Sequence, residues 1–277
     1  MKMMTQEVST AVMIRALEDN LLEAWAAIGT VPGVECFVGQ GVRGIMTGVP
    51  HPALNGVCGA HLAPDEVHGR IDEVLAWFTR QRIPMLWWIG PATQPADLGA
   101  SLETHGLTRV EDMPGMAVDL GAIAGHVDVP PDLAIQIVDN AALLAHWNHI
   151  VAICFEIPPV FEGATRRIFG SLGLGHDASW RHYIALLRGV PVATSSLFLG
   201  TESAGIYCVA TLPEVRRQGI GGAMTLAALH DARARGYRVA ILQASALGHS
   251  VYHRLGFRDY CTYHLFHWPG QEKPAGA

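Results

Sequence analysis

"RRQGIGGAM", residues 216–224, sets two arginines, a glutamine and three glycines directly before the alanine-rich run "TLAALHDARARG". Glycine lets a backbone approach a bound group closely. A helix that starts here turns its uncompensated N–H groups, and the positive end of its dipole, toward an anion. So much positive charge with so little side chain predicts a site for a phosphate-bearing ligand. Amides from Arg217 through Gln218, Gly219, Ile220, Gly221 and Gly222 act as donors, and Arg216 and Arg217 add charge.

The neighbouring elements fit that expectation. "SAGIYCVATL" (203–212) reads as a strand that Pro213 ends, and 219–236 as a helix closed by Gly236. "RVAILQAS" follows as a buried strand, "HSVYHRLG" as a short helix and "FRDYCTYHLFHW" as an alternating strand. Upstream, "LAIQIVD" alternates like a strand. "NAALLAHWNHIVAICF" is a helix capped by Asp139 or Asn140, and 182–200 is a hairpin turning at Arg188-Gly189. The order is mixed α/β, with an antiparallel meander leading into the glycine-opened helix.

A seam at "DLGAIAGHVDVPPDL" (119–133), with Pro130-Pro131, divides the chain near residue 125. Before it, 66–83 has helical spacing at Val67, Ile71, Val74, Leu75 and Phe78, and "PMLWWIG" is a short buried strand. "PADLGASLETHGL" is a helix closed by Gly106, and "GMAVDL" a strand. The succession helix, buried strand, short helix, strand therefore occurs twice, ending "HGL" in the first half and "LGF" in the second, as in a divergent tandem repeat. "GQGVRG" (39–44) has G-x-G-x-x-G spacing, but no helix pattern follows, so it reads as a β-hairpin turn.

The strand ending "VATLPEV", the Arg216-x-x-Gly219-x-Gly221 loop, the next strand and "YHRLGF" (252–257) together resemble the GNAT superfamily of N-acetyltransferases. Its acetyl-CoA signature is (Q/R)-x-x-G-x-(G/A), and a later motif commonly reads Y-x-x-L-G-F. The resemblance covers roughly 130–268, and the first half only through the repeat. It implies an α/β fold of two GNAT-like domains, each a mixed, mostly antiparallel sheet flanked by helices. Residues 1–125 would form a degenerate domain and 126–277 the catalytic one.

By the same resemblance the glycine loop holds the pyrophosphate of acetyl-CoA, used as co-substrate, and the strand before it splays from its neighbour to admit pantetheine. Val209 and Thr211 offer it main-chain groups, and an N–H near Val209 faces the acetyl carbonyl as oxyanion donor. Tyr207 and Cys208 lie beside the acetyl group. Tyr252 stands where the family frequently has the general acid that protonates the thiolate of CoA, and Ser245 where an asparagine often contacts pantetheine. His249 lines the cofactor cleft. Either Glu156 or Glu162, in "FEIPPVFEG", binds the acceptor amine or takes its proton through water. The reaction is direct acetyl transfer to an amine of a small molecule or peptide. A non-catalytic acyl-CoA sensor and a small-molecule acetyltransferase of the mycothiol-synthase kind, also a tandem GNAT, stay open as alternatives.

His249 and His253 stand i, i+4, but no HExxH pattern and no third ligand is evident, so no metal is expected. In the first half Leu102 aligns with Tyr252, and "LAPDEVHGRIDEV" puts Asp65, Glu66 and a single Gly69 where the phosphate loop belongs, so one acetyl-CoA per chain is expected. Composition bounds the partners. A formal charge of −6 argues against a nucleic-acid surface, and 50% hydrophobic residues with 16% charged describe a compact fold. Despite a mean hydropathy of +0.24, the most apolar window, "ALLAHWNHIVAICFEIPPVF", is broken by polar residues and two prolines, so no membrane span is expected. Five cysteines without a CxxC pair, and an opening stretch without a signal-peptide core, predict a cytoplasmic protein with reduced thiols, monomeric or homodimeric.

Overall fold

The computed structural model of the chain describes residues 8–39, 41–123 and 125–270. Residues 1–7 of the opening stretch, Gln40 of the "GQGVRG" turn and Ala124 of the seam lie outside them. The first half runs α1 (Thr10–Ile28), β1 (Glu35–Gly39), β2 (Val42–Met46), β3 (Gly56–Cys58), α2 (Val67–Gln81), β4 (Met85–Ile89), α3 (Leu98–Thr104) and β5 (Thr108–Asp119). The second runs β6 (Leu133–Ile137), α4 (Ala141–Cys154), α5 (Glu162–Ser171), β7 (Trp180–Leu187), β8 (Val190–Leu199), β9 (Ala204–Thr211), α6 (Ile220–Ala234), β10 (Val239–Gln243), α7 (His249–Arg254) and β11 (Arg258–Trp268). Three strands, a helix, a strand, a short helix and a strand recur in that order in both halves.

Local chemistry accounts for the boundaries. The Asn140 side chain, not Asp139, caps α4, accepting from the amides of Ala142 and Leu143. At the β7–β8 hairpin Arg188 and Gly189 both take positive φ (52° and 79°), the mirror-image turn whose twist suits two paired strands. In α2 the buried side chains are Val67, Ile71, Val74 and Phe78, one stripe at helical spacing. In the "GQGVRG" stretch Gly39 stands opposite Val42 across β1 and β2, and Gly41 takes φ +81°. Two helices were not read in the sequence. α1 buries Met13, Leu17, Leu21 and Ala24 from a stretch whose charged residues mask the stripe, and α5 starts at Glu162 within what reads as a loop.

All eleven strands join one sheet in the order β1-β2-β3-β4-β11-β5-β10-β9-β8-β7-β6, in which β3–β4 and β9–β10 are the parallel pairs. The centre of that order is an exchange. β11, from the second half, lies between β4 and β5 of the first, and β5 lies between β11 and β10 of the second. The cores follow the strands. Met116, Val118 and Leu120, on β5 and just after it, are buried with Ile206, Met224, Leu229 and Phe257. Phe266 and Trp268 of β11 are buried with Val57, Ile71, Phe78 and Trp87.

Each half therefore takes core residues and a sheet neighbour from the other. A chain cut at 125/126 leaves the 126–277 piece with β10 and β11 unpaired where β5 belongs, and with apolar surface exposed. Expressed alone, that piece is expected to be insoluble or to lack a cooperative melt, and co-expression with 1–125 to restore one. A soluble isolated piece with a sharp thermal transition would contradict the exchange.

Candidate active site

The expected phosphate loop sits between β9 and α6. A 3-10 turn at Pro213–Val215 leads into Arg216 and Arg217, the latter at φ +61°, and Gly219 is the residue before α6, at φ +79°. Gly219 offers no side-chain cap, and α6 has no acid in its first turn, so the positive end of the helix is left for an outside anion. Arg216, Arg217 and Gln218 are exposed beside it, and Ile220 is buried, anchoring the helix. Arg216 Nε donates to the Thr211 carbonyl at 2.9 Å, which ties the loop to the end of β9.

The three glycines differ in what they allow. At Gly219 the Asp128 carbonyl stands where a Cβ belongs, so φ and space both demand glycine. At Gly222 a Cβ meets Val127 Cγ1 at 3.3 Å, whereas at Gly221 the first neighbour is Thr211 Oγ1 at 3.5 Å, an ordinary contact. Gly219 thus holds the fold, and Gly221 can be changed without disturbing it.

β9 pairs with β8 along its length, but with β10 only at Ala204–Ala240 and Gly205–Ile241. Beyond Gly205 the edge of β9 facing β10 is free of that ladder, which opens a cleft between two parallel strands. The register with β8 shifts between Thr194–Ala210 and Ser196–Tyr207, so Cys208 and Val209 form a bulge, and Cys208 takes φ +50°. Thr194 Oγ1 donates to the Cys208 carbonyl at 2.9 Å and fixes that peptide. The bulge re-aims the main chain of Val209, the expected oxyanion donor, next to the opening. Burial pushes the Cys208 thiol up to about 12, so it stays a thiol. Tyr207 is not free for the acetyl group, because its hydroxyl donates to Asn20 Oδ1 of α1 at 2.9 Å.

Tyr252 of α7 is 8% exposed, packed edge-on to Phe257, with Gly248 leaving room for its ring. Burial raises its phenol to about 12, which keeps the proton on the oxygen at physiological pH. Ser245 is exposed between β10 and α7, and its carbonyl accepts from the amides of Gly248 and His249. His249 is held by Asp259 of β11, with Nε2 2.9 Å from Oδ1, a partner that the sequence reading did not foresee.

The two candidate carboxylates separate. Glu162 lies 3.1 Å from His149 Nδ1, while its main-chain carbonyl accepts from Asn148 and Thr165. Glu156 is exposed at φ +57° and acts electrostatically on His51, whose pKa burial lowers and Glu156 partly restores. His51 belongs to the first half, and its Nδ1 is buried without a hydrogen-bond partner among the described residues. Leu54, just beyond it, packs with the Ile157, Phe161, Cys208 and Leu212 cluster. The first half thus walls this side of the bulge. No signal within residues 45–56 could have announced that, because the contact exists only after folding.

In the first half β3 and β4 pair in parallel only at Gly56–Leu86 and Val57–Trp87, the counterpart of the β9–β10 opening. α2 follows Glu66 in place of a glycine loop, Leu102 is fully buried where Tyr252 has its counterpart, Trp87 is fully buried, and Trp88 is partly exposed.

Residues 146–257 match the family described as "Acetyltransferase (GNAT) family", so the second half carries a GNAT domain, as its motifs implied. Over the whole chain the fold is similar to that of a GCN5-related N-acetyltransferase from Kribbella flavida (21% identity, 92% of this chain and 96% of that one, TM-score 0.72). It is also similar to a GCN5-related N-acetyltransferase from Sphaerobacter thermophilus (17%, 97% and 96%, TM-score 0.62). A third similar fold is a tandem GNAT protein from the clavulanic acid biosynthesis pathway (14%, 95% and 96%, TM-score 0.57). Among curated proteins none matches at a significant level. Among the described residues no helix is long and apolar enough to cross a membrane.

Gly221→Glu sets a carboxylate at the open end of α6, where it repels a diphosphate. Calorimetry with acetyl-CoA is expected to give no binding, while circular dichroism stays that of the parent. Undiminished affinity would remove the loop from the site.

Proposed function

We propose that the protein is an acetyl-CoA-dependent N-acetyltransferase acting on an amine of a small molecule or peptide, with 126–277 as the catalytic domain and 1–125 as a degenerate repeat. The observation that carries this reading is the early end of the β9–β10 ladder, with a bulge on one side and an uncapped, acid-free helix start on the other. Acetyl-CoA lies with its diphosphate on the amides of residues 217–222, its pantetheine arm along the free edge of β9 from Val209 to Thr211, and its thioester carbonyl toward the Val209 N–H.

The amine attacks the thioester carbon, the Val209 N–H takes the developing oxyanion charge, and collapse expels the CoA thiolate, which Tyr252 protonates. Direct transfer is favoured over an acyl-cysteine intermediate because the one thiol at the bulge, Cys208, is held protonated by burial. Glu156, rather than Glu162, takes the amine proton through water, since Glu162 already faces His149.

Tyr252→Phe keeps the packed ring and removes the acidic proton. Affinity for acetyl-CoA is expected to change little and kcat to fall by about 10². With the wild type, kcat rises with pH as the amine loses its proton. Because burial raises the phenol to about 12, no falling limb from this acid appears below about pH 10. An unchanged kcat in Tyr252→Phe, under chemistry-limited conditions with the best acceptor of an amine panel, sinks the acid assignment. Binding without turnover of any amine leaves the sensor reading instead.

The first half keeps a parallel opening but lacks the anion-binding parts, so titration with acetyl-CoA is expected to give one site per chain. Two equivalent sites would contradict the degenerate-repeat reading.

A further inference from the structure

His249 and His253 lie one turn apart on α7, and the fold supplies the third ligand that the sequence did not reveal. β11 begins two residues after Gly256 closes the α7 region, and it returns Asp259 to the same face. The two Nε2 atoms are 3.2 Å apart. His249 Nε2 lies 2.9 and 3.0 Å from the two Asp259 carboxylate oxygens, and His253 Nε2 lies 3.4 Å from Oδ2. One atom from each residue can be chosen so that all three lie within 4.8 Å of one another.

These separations match a particular coordination figure. Ligand atoms about 2.0–2.1 Å from a tetrahedral zinc ion stand about 3.3 Å from each other, so the three atoms outline one face of such a tetrahedron. Both imidazoles bring the same nitrogen, Nε2, to the cluster, with their rings nearly perpendicular at 86°. Two imidazole nitrogens and a carboxylate oxygen form a donor set suited to zinc, and a fourth position open to solvent suits water. The side chains are 36%, 43% and 45% exposed, so an ion reaches them without opening the core.

We propose that His249, His253 and Asp259 form a binding site for a zinc-class divalent cation with water as the fourth ligand. The ion is a clamp. It joins α7, which carries Tyr252, to the start of β11, whose far end enters the core of the other half. Its ligands sit on the surface, whereas the Tyr252 ring is buried, so the ion acts by position and not on the reacting atoms. The site does not depend on the acetyltransferase reading.

The test uses full-length protein without a histidine tag, stripped with EDTA, because the chain has 14 histidines of its own. Zn²⁺ is titrated in competition with a chromophoric chelator, and thermal melts are recorded with and without the ion. The wild type is expected to bind one equivalent, and its Tm to rise by about 5 °C at a hundredfold excess over Kd. Asp259→Asn and His253→Gln, both exposed, are each expected to weaken binding by at least roughly tenfold and to abolish the Tm rise, with circular dichroism unchanged. A wild type that binds no zinc overturns the proposal. Undiminished binding in both variants overturns it too, since the ion then sits on other histidines. If one variant fails to fold, the other decides by the same criteria.

Discussion

β5 and β11 lie antiparallel, side by side, from Ala117–Arg258 to Thr108–His267, and each has a strand of the opposite half as its second neighbour. A β-strand with an unpaired edge exposes a row of backbone donors and acceptors, and its buried face needs side chains to pack on. By exchanging these strands the halves meet both needs at once. Met116 and Val118 fill the core under α6, and Phe266 and Trp268 fill the one under α2. The relative position of the halves is therefore set by main-chain ladders and core packing, not by a flexible link through Pro130-Pro131.

The site depends on that fixed relation. The cleft belongs to the second half, yet its surroundings come from both. Asn20 of α1 accepts from Tyr207 and donates to the Ser203 carbonyl at 2.8 Å, bracing the strand that carries the bulge. Leu54 packs on the Cys208 cluster, and the charge of Glu156 acts on His51. At the far end of α6, Asp231 takes Arg181 Nη1 at 2.7 Å, and the Tyr183 hydroxyl donates to it at 2.5 Å, so the helix is pinned to β7. Arg181 is almost wholly buried, so removing Asp231 would strand its charge inside the protein. With both its ends held, α6 can present open amides without fraying.

What the sequence made legible is what short-range chemistry encodes. The glycine loop, the Arg188-Gly189 hairpin, the Gly106 and Gly236 helix ends and the α2 stripe each rest on a few adjacent residues with one good solution. What it hid depends on residues far apart. Nothing in "TRVEDMPGMAVDL" says that it will lie between β10 and β11, because its short apolar run suits any buried partner. Asp259 reads as a surface acid until β11 carries it to His249. α1 was hidden for a different reason, as charged residues crowd its apolar stripe and Asn20 interrupts it, a side chain that is buried but satisfied by Ser203 and Tyr207.

The exchange also constrains the first half independently of any ligand. The first half differs from the second where an anion would bind: acids for glycines before α2, and Leu102 for Tyr252. Asp65 and Glu66 are favourable at a helix start, and Leu102 is fully buried in the core of the first half. The strand that follows is under a different constraint. β5 carries Met116 and Val118 into the core beneath α6, and its main chain pairs with β10, one wall of the cleft. The two constraints thus fall on different residues of the first half: the positions before α2 answer to local helix chemistry, whereas its last strand answers to the core and the ladder of the second half.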